Sequence, residues 1–111
     1  MNTLTIIVPC FNEADVLVDF ISTVNLQTHE LPLIKKYLLI NDGSTDDTLD
    51  IMKNLSETFD NIFYLSFSRN FGKEAAILAG LEASDSDFVT IMDADLQDPP
   101  FLLSEMCKDM L

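Results

Sequence analysis

The stretch IFYLSFSRNFGKEAAILAGLEAS, residues 62–84, contains one complete unit of the fold. It begins with an apolar and aromatic run, 62–67, of the kind enriched in β-strands. A short polar turn, 68–72, follows, and an alanine-rich segment, 73–84, has high intrinsic helix propensity. The stretch therefore predicts a strand, a polar turn and a helix in direct succession.

The rest of the chain repeats this unit. Apolar strand-like runs stand at LTIIVP (4–9), YLLIN (37–41) and FVTIM (88–92). Helical patterns follow each of them, with apolar residues at 3.6-type spacing in the first (Val16, Leu17, Phe20, Ile21 and Val24), then at 48–55 and at 101–110. Four consecutive strand-helix units imply parallel strands with right-handed crossovers. We expect an α/β domain with an open, mostly parallel, Rossmann-like sheet and flanking helices.

Composition narrows the possible partners. The 111 residues fit one domain, and 19 acidic against 6 basic residues give a formal charge of −13. Such a charge repels nucleic acids and anionic membrane surfaces, so no nucleic acid partner is expected. Apolar runs such as 75–81 are far shorter than the roughly 20 residues that span a bilayer, which predicts a cytoplasmic segment. The two cysteines, Cys10 and Cys107, lack metal-site spacing and are interpreted as small buried hydrophobes.

Polar and ionisable residues gather after the predicted strands. In open α/β sheets, ligands bind outside the carboxyl ends of the strands, near the point where strand order reverses. The segments at that edge are PCFNE (9–13), NDGSTDD (41–47), SRNFGK (68–73) and DADLQD (93–98), whereas the opposite connections carry no comparable pattern. This asymmetry predicts a ligand-binding domain.

The segment after the fourth strand has the pattern of a cation site. Asp93, Asp95 and Gln97 alternate, so in an extended chain their side chains project to one side. Oxygen ligands of this kind suit Mg²⁺ or Mn²⁺ and leave coordination positions for phosphate oxygens. The alternative is a surface turn, in which 98–100 begin a helix.

Two other segments allow both a structural and a functional interpretation. Gly43 permits a tight turn before the second helix, and Asp42 is placed to point from the strand end and accept a base N–H. Asn12 is a candidate N-cap of the first helix and Glu13 a first-turn acid, with nucleoside recognition as the alternative for both.

The cations at this edge are few. Arg69 is the only arginine in the chain, and Lys73 follows Gly72 in the same segment. Both are candidate partners for a diphosphate or for Asp93, since arginine suits bidentate pairing. An ordinary surface salt bridge is the alternative.

Four motifs, taken together, resemble those of family 2 glycosyltransferases of the GT-A fold, in particular the N-terminal half of the polyprenyl-phosphate (dolichol- or undecaprenyl-phosphate) glycosyltransferases. They are VPCFNE (8–13), INDGSTDDT (40–48), SRNFGKEAAILAGL (68–81) and MDADLQDPP (92–100). The resemblance implies that Pro9, Asn12, Glu13 and Asp42 contact the nucleoside of a donor sugar nucleotide. It also implies that Asp93 holds the ribose or Arg69, and that Asp95 and Gln97 ligate the divalent ion.

Further expectations come from the same resemblance. The donor would be a UDP- or GDP-sugar, the acceptor a polyprenyl phosphate or another glycan reached through regions outside residues 1–111, and the enzyme metal-dependent and inverting, at the cytoplasmic face of the membrane. No general base is identified, and these residues alone are expected to be inactive. The alternative is a non-catalytic nucleotide-binding or interaction module. An exposed sheet edge would also favour a homo-oligomer.

Overall fold

A computed structural model describes residues 2–95. Strands and helices alternate along this part of the chain, as the sequence predicts. In chain order they are β1 (Asn2–Cys10), α1 (Leu17–Thr28), β2 (Leu33–Asn41), α2 (Thr48–Thr58), β3 (Ile62–Ser66), α3 (Lys73–Ala83) and β4 (Phe88–Ile91). The helix expected at 101–110 lies outside the described residues.

All strand pairs in the sheet are parallel, and the order is β3-β2-β1-β4. The central strand β1 pairs with β2 from Asn2 to Cys10 and with β4 from Leu4 to Ile7. The chain adds β2 and β3 on one side of β1 and then returns to place β4 on the other side. Strand order therefore reverses between β1 and β4, and the predicted open parallel sheet with flanking helices is confirmed.

The two faces of the sheet are covered by different helices. Leu4, Ile6 and Val8 of β1 belong to one buried cluster with residues of α1 and α2. Ile7 points to the opposite face and forms a second cluster with Ala76 of α3. Alternation of side chains along β1 explains why a nearly continuous apolar run can supply both cores.

The second strand begins four residues earlier than the sequence predicts. The structure starts β2 at Leu33 rather than at Tyr37. The missed residues include Lys35 and Lys36, whose charges look like those of a connection. Lys35 donates a hydrogen bond to Thr28 Oγ1 at 2.7 Å, and Lys36 forms an ion pair with Asp85 at 3.6 Å, so both charges have partners near the end of the sheet.

The α3 face is covered less completely than the other. Phe63 and Leu65 of β3 and Ile91 of β4 keep 49%, 36% and 38% of their surface exposed. β3 and β4 are the outer strands within residues 2–95, and pairing between copies stays a prediction. Within the same range, no helix combines the length and the apolarity needed to cross a membrane.

Candidate functional site

A cleft of about 280 Å³ opens where strand order reverses, at the carboxyl ends of β1 and β4. This is the position at which open α/β sheets bind ligands. Its lining consists of Pro9, Cys10, Phe11, Glu13, Asp42, Lys73, Asp93 and Asp95. Carboxylates thus outnumber the single ammonium group in the lining, and the cleft favours a cation.

Most of the predicted site residues meet in this cleft. Pro9, Glu13, Asp42, Lys73, Asp93 and Asp95 all line it, whereas Asn12 and Arg69 lie outside its lining. Gln97 lies outside the described residues. Sequence analysis missed Cys10 and Phe11, although both stand between Pro9 and Asn12 in one of the predicted edge segments.

Three loops follow the strands at this edge: the first loop (11–16), the second loop (42–47) and the third loop (67–72). Asn12 ties the first loop to the second. Its backbone is left-handed, with φ of 55°. Its N–H donates to Ser44 Oγ at 2.9 Å, and its side-chain Oδ1 accepts from the N–H of Thr45 at 2.8 Å. The predicted N-cap role is wrong, because α1 begins at Leu17 and its N-cap residue is Val16. Asparagine tolerates this left-handed conformation, and its amide oxygen serves the neighbouring loop instead of the helix.

Glu13 lies between two loops and the acids of the cleft. Its N–H donates to Thr48 Oγ1 at 2.9 Å, and its carbonyl accepts the N–H of Leu17 at 3.0 Å. Burial raises the pKa of its carboxyl, and the charges of Asp95, Asp93 and Asp46 raise it further. Neighbouring negative charges therefore disfavour the ionisation of Glu13, and a bound cation would relieve this repulsion.

Asp42 is buried, and its carboxylate faces the third loop as well as the cleft. Oδ1 accepts the N–H of Phe71 at 2.7 Å, and Oδ2 accepts the N–H of Gly72 at 3.1 Å. The side chain of Asn70 donates to Oδ2 at 3.3 Å. Asp42 therefore fixes the chain just before α3. Its contact with a nucleoside base stays a prediction.

Gly43 lets the second and third loops touch backbone to backbone. Its φ is +70°, and a Cβ at this position would lie 2.2 Å from the carbonyl carbon of Arg69 and 2.3 Å from the nitrogen of Asn70. Only glycine allows this approach. The tight turn predicted from the sequence is thus also a packing contact between loops.

Lys73 is the cation that contacts Asp93. Its Nζ lies 2.7 Å from Asp93 Oδ1. The guanidinium of Arg69, the other predicted partner, lies over the ring of Phe71, 4.6 Å from its centroid. Of the two pairings predicted for Asp93, the structure contains the one with lysine.

Cys10 forms part of the apolar wall of the cleft. It is 1% exposed, and its thiol donates weakly to the carbonyl of Val8 at 3.4 Å. Burial, and then the charge of Glu13, raise the pKa of this thiol well above its usual range. Cys10 is therefore a buried hydrophobe, as predicted, and its thiol is not activated as a nucleophile. Cys107 lies outside the described residues.

The carboxylates of the cleft fit a hard divalent ion. Within residues 2–95, no three His, Cys, Asp or Glu side chains converge to form a metal site by themselves. A complete protein cage is not needed, since Mg²⁺ at nucleotide sites usually binds through one or two carboxylates and substrate phosphates. Asp93 and Asp95, at the mouth of an acidic cleft, are donors of that kind.

The fold and the cleft together define an open parallel α/β domain with an acidic cleft at its switch point. Residues 5–111 match the model of the family described as glycosyl transferase family 2. The chain therefore belongs to glycosyl transferase family 2, as the four sequence motifs predict.

Several curated relatives are similar to this chain. A putative glycosyltransferase, CsbB, of Bacillus subtilis (strain 168) is 44% identical over 105 residues, which cover 95% of this chain and 32% of the relative. The bactoprenol glucosyl transferase of Shigella phage SfV is 41% identical over 96 residues, covering 86% and 31%. An undecaprenyl-phosphate 4-deoxy-4-formamido-L-arabinose transferase of Pseudomonas syringae pv. syringae (strain B728a) is 34% identical over 106 residues, covering 95% and 32%. The chain spans about a third of the length of these relatives.

Solved structures share the fold. The mannosyltransferase PcManGT from Pyrobaculum calidifontis, in complex with GDP-Man and Mn²⁺, superposes with a TM-score of 0.72 at 24% identity, over 86% of this chain and 32% of that one. S. aureus TarS 1–349 gives 0.69 at 22% identity, over 95% and 33%. These likenesses confirm the GT-A architecture.

Proposed function

We propose that residues 1–111 form the donor-binding portion of a metal-dependent, inverting glycosyltransferase that uses a UDP- or GDP-sugar. The observation that carries this proposal is the cleft at the β1/β4 switch point. There Glu13, Asp93 and Asp95 face one another beside Lys73. Such a concentration of carboxylates suits an anionic ligand only when a cation accompanies it.

Each side of the cleft has a distinct proposed task. Pro9, Glu13 and Asp42 of the cleft lining contact the nucleoside on the β1 and β2 side, together with Asn12, which precedes Glu13 and lies outside the lining. Asp95, with Gln97, ligates Mg²⁺ or Mn²⁺, and Asp93 contacts the ribose or a basic side chain. When bound, the ion would stabilise the negative charge that develops on the leaving nucleoside diphosphate.

The acceptor proposed is a polyprenyl phosphate, with another glycan as the alternative. This choice is supported by relatives named as bactoprenol and undecaprenyl-phosphate transferases. A phosphate acceptor is already ionised at neutral pH, so its attack on the sugar needs little help from a general base. No residue of this chain is assigned that task. With such a lipid acceptor, the proposed location of a longer protein that contains this chain is the cytoplasmic face of a membrane.

Calorimetry of nucleotide binding tests the proposal. UDP and GDP are titrated with and without Mn²⁺ into the wild type, Asp95→Asn and Asp85→Asn. The wild type is expected to bind one of the two nucleotides only with Mn²⁺. Asp95→Asn loses about tenfold or more in that metal-dependent affinity, because a metal ligand has lost its charge.

Asp85→Asn is the matched control, since Asp85 is an exposed aspartate at the opposite end of the sheet. Metal dependence that survives Asp95→Asn, or that Asp85→Asn abolishes equally, would refute the metal assignment. Nucleotide binding without sugar transfer by a longer protein that contains this chain would favour the non-catalytic binding module.

A further inference from the structure

We propose that Lys73 is a resident counter-ion of the cleft, whose ammonium group pairs with Asp93 in the absence of a divalent ion and pairs instead with the donor diphosphate once ion and donor are bound. This inference rests on the proposed function and specifies how the same site changes partner. It starts from the contact of 2.7 Å between Lys73 Nζ and Asp93 Oδ1.

The position of Lys73 explains why it needs an acidic partner. Lys73 is the first residue of α3. A cation at a helix N-terminus is disfavoured, because the helix dipole places partial positive charge there. Asp93 offsets this cost, since its carboxylate lies 2.7 Å from the Lys73 ammonium.

The backbone that carries Lys73 is fixed, while its side chain can still move. Asp42 accepts the N–H groups of Phe71 and Gly72, which immediately precede Lys73. The Lys73 side chain itself is 57% exposed. A flexible four-carbon stem on a fixed base can exchange partners without any movement of α3.

Two cations would use neighbouring carboxylates in this site. Asp93 and Asp95 are separated by one residue and line one cleft, so an ion held by Asp95 would come near the ammonium group that pairs with Asp93. Repulsion between the two positive charges weakens the Lys73–Asp93 contact. The diphosphate that accompanies the ion offers the ammonium new oxygen partners.

Arg69 is less suited to this role. Its guanidinium lies over Phe71 and outside the lining of the cleft. Lys73 is the cation in that lining within the described part of the chain. The exchange is therefore assigned to Lys73.

The exchange predicts that one substitution moves two affinities in opposite directions. Lys73→Gln should bind Mn²⁺ alone roughly two- to fivefold more tightly, because a competing cation is gone. With saturating Mn²⁺, the same variant should bind UDP or GDP, whichever the wild type prefers, about tenfold more weakly, because a charged hydrogen bond to the diphosphate is lost. Titration of free Mn²⁺ by electron paramagnetic resonance and calorimetry of the nucleotide measure the two constants.

Two further variants exclude simpler explanations. Lys36→Gln removes the same charge and another Lys–Asp ion pair at the opposite end of the sheet, and should leave both constants unchanged. Lys73→Arg keeps the positive charge and should recover most of the nucleotide affinity. Thermal melts of each variant check that the fold is retained.

The outcomes separate this inference from the proposed function. Wild-type protein that binds neither Mn²⁺ nor nucleotide overturns both. Wild-type protein that binds both, together with Lys73→Gln that weakens both or changes neither, overturns the exchange alone. Opposite shifts in Lys73→Gln that are absent in Lys36→Gln support it.

Discussion

The two ends of the sheet each have a cleft, and the clefts differ in chemistry more than in size. The one at the carboxyl ends of the strands has about 280 Å³ and is lined by Glu13, Asp93, Asp95 and Lys73, among others. The one at the amino ends has about 220 Å³, and its charged lining residues are Lys36 and Asp85. Volume alone would not distinguish a binding site here.

Acids at the two ends are used differently. Asp87, at the amino end, accepts the N–H of Thr3 at 2.8 Å and thereby holds the start of β4 to β1. At the carboxyl end, burial and then the charges of Asp95 and Asp93 raise the pKa of the Glu13 carboxyl. The comparison teaches that a backbone N–H satisfies Asp87 at one end, whereas at the other end several acids surround Glu13 and the ammonium group of Lys73 pairs with Asp93.

The contact between the second and third loops should give the largest effect on stability. Gly43→Ala is expected to lower the free energy of unfolding by about 4 kcal/mol, because the new Cβ meets backbone atoms and the left-handed conformation is strained. Gly72→Ala is the control, since φ is +100° there but no atom lies within 4 Å of the added Cβ. Its cost should be about 2 kcal/mol. Urea unfolding measures both losses. If Gly43→Ala and Gly72→Ala lower the free energy of unfolding equally, the second and third loops are not in close backbone contact.

A pair of aspartates compares the two ends directly. Asp42→Ala should cost about 2 to 3 kcal/mol in urea unfolding, because the N–H groups of Phe71 and Gly72 lose a charged acceptor in a buried site. Asp87→Ala also removes an acceptor of a backbone N–H, but in an exposed site where water replaces it, so about 1 kcal/mol or less is expected. The comparison fails if Asp87→Ala costs as much as Asp42→Ala.

Crowding of acids predicts a smaller, pH-dependent effect. Because the pKa of Glu13 is raised in the folded chain, the associated stability is fully present below the ordinary glutamate value of 4.5 and is lost as pH rises through the folded value. Glu13→Gln, which cannot ionise, should therefore stabilise the protein at pH 7 by less than about 1 kcal/mol after screening, and by progressively less towards pH 4.

Unfolding of Glu13→Gln and Glu57→Gln across this pH range, at low and high salt, measures the effect. Glu57 lies on the exposed surface of α2, so its substitution removes the same charge away from the cleft. Identical pH profiles for the two variants would mean that the net charge of the chain, and not the neighbours of Glu13, is responsible.

Much of the fold follows from the sequence, because strand-helix alternation is a local signal. Val16, Leu17, Phe20, Ile21 and Val24 are spaced as an amphipathic helix requires, and four of them are buried in α1 against the sheet. The first part of β2 could not be predicted, because Lys35 and Lys36 look like residues of a polar connection. Their partners, Thr28 and Asp85, belong to other segments of the chain and are brought close only by the fold.

The site could be located from the sequence, but its internal contacts could not. The strand-end rule brings Pro9, Glu13 and Asp93 to one cleft, because parallel strands share a carboxyl edge. Which oxygen accepts which N–H depends on distances between loops. Asn12 accepts a hydrogen bond from Thr45, and Asp42 accepts one from Phe71. The partners lie about 30 residues apart in the chain, and no local sequence pattern predicts contacts over such a separation.

Asn12 has a consequence for how this position can vary over evolution. A substitute must adopt φ of 55° at little cost and must also offer an oxygen to the N–H of Thr45. Glycine meets the first requirement alone, and serine or threonine at best the second. Aspartate meets both, but places another negative charge beside Glu13. Asparagine satisfies the backbone conformation, the hydrogen bond to the neighbouring loop and the charge of the cleft together. Few substitutions should therefore be tolerated at position 12, even where the surrounding surface varies.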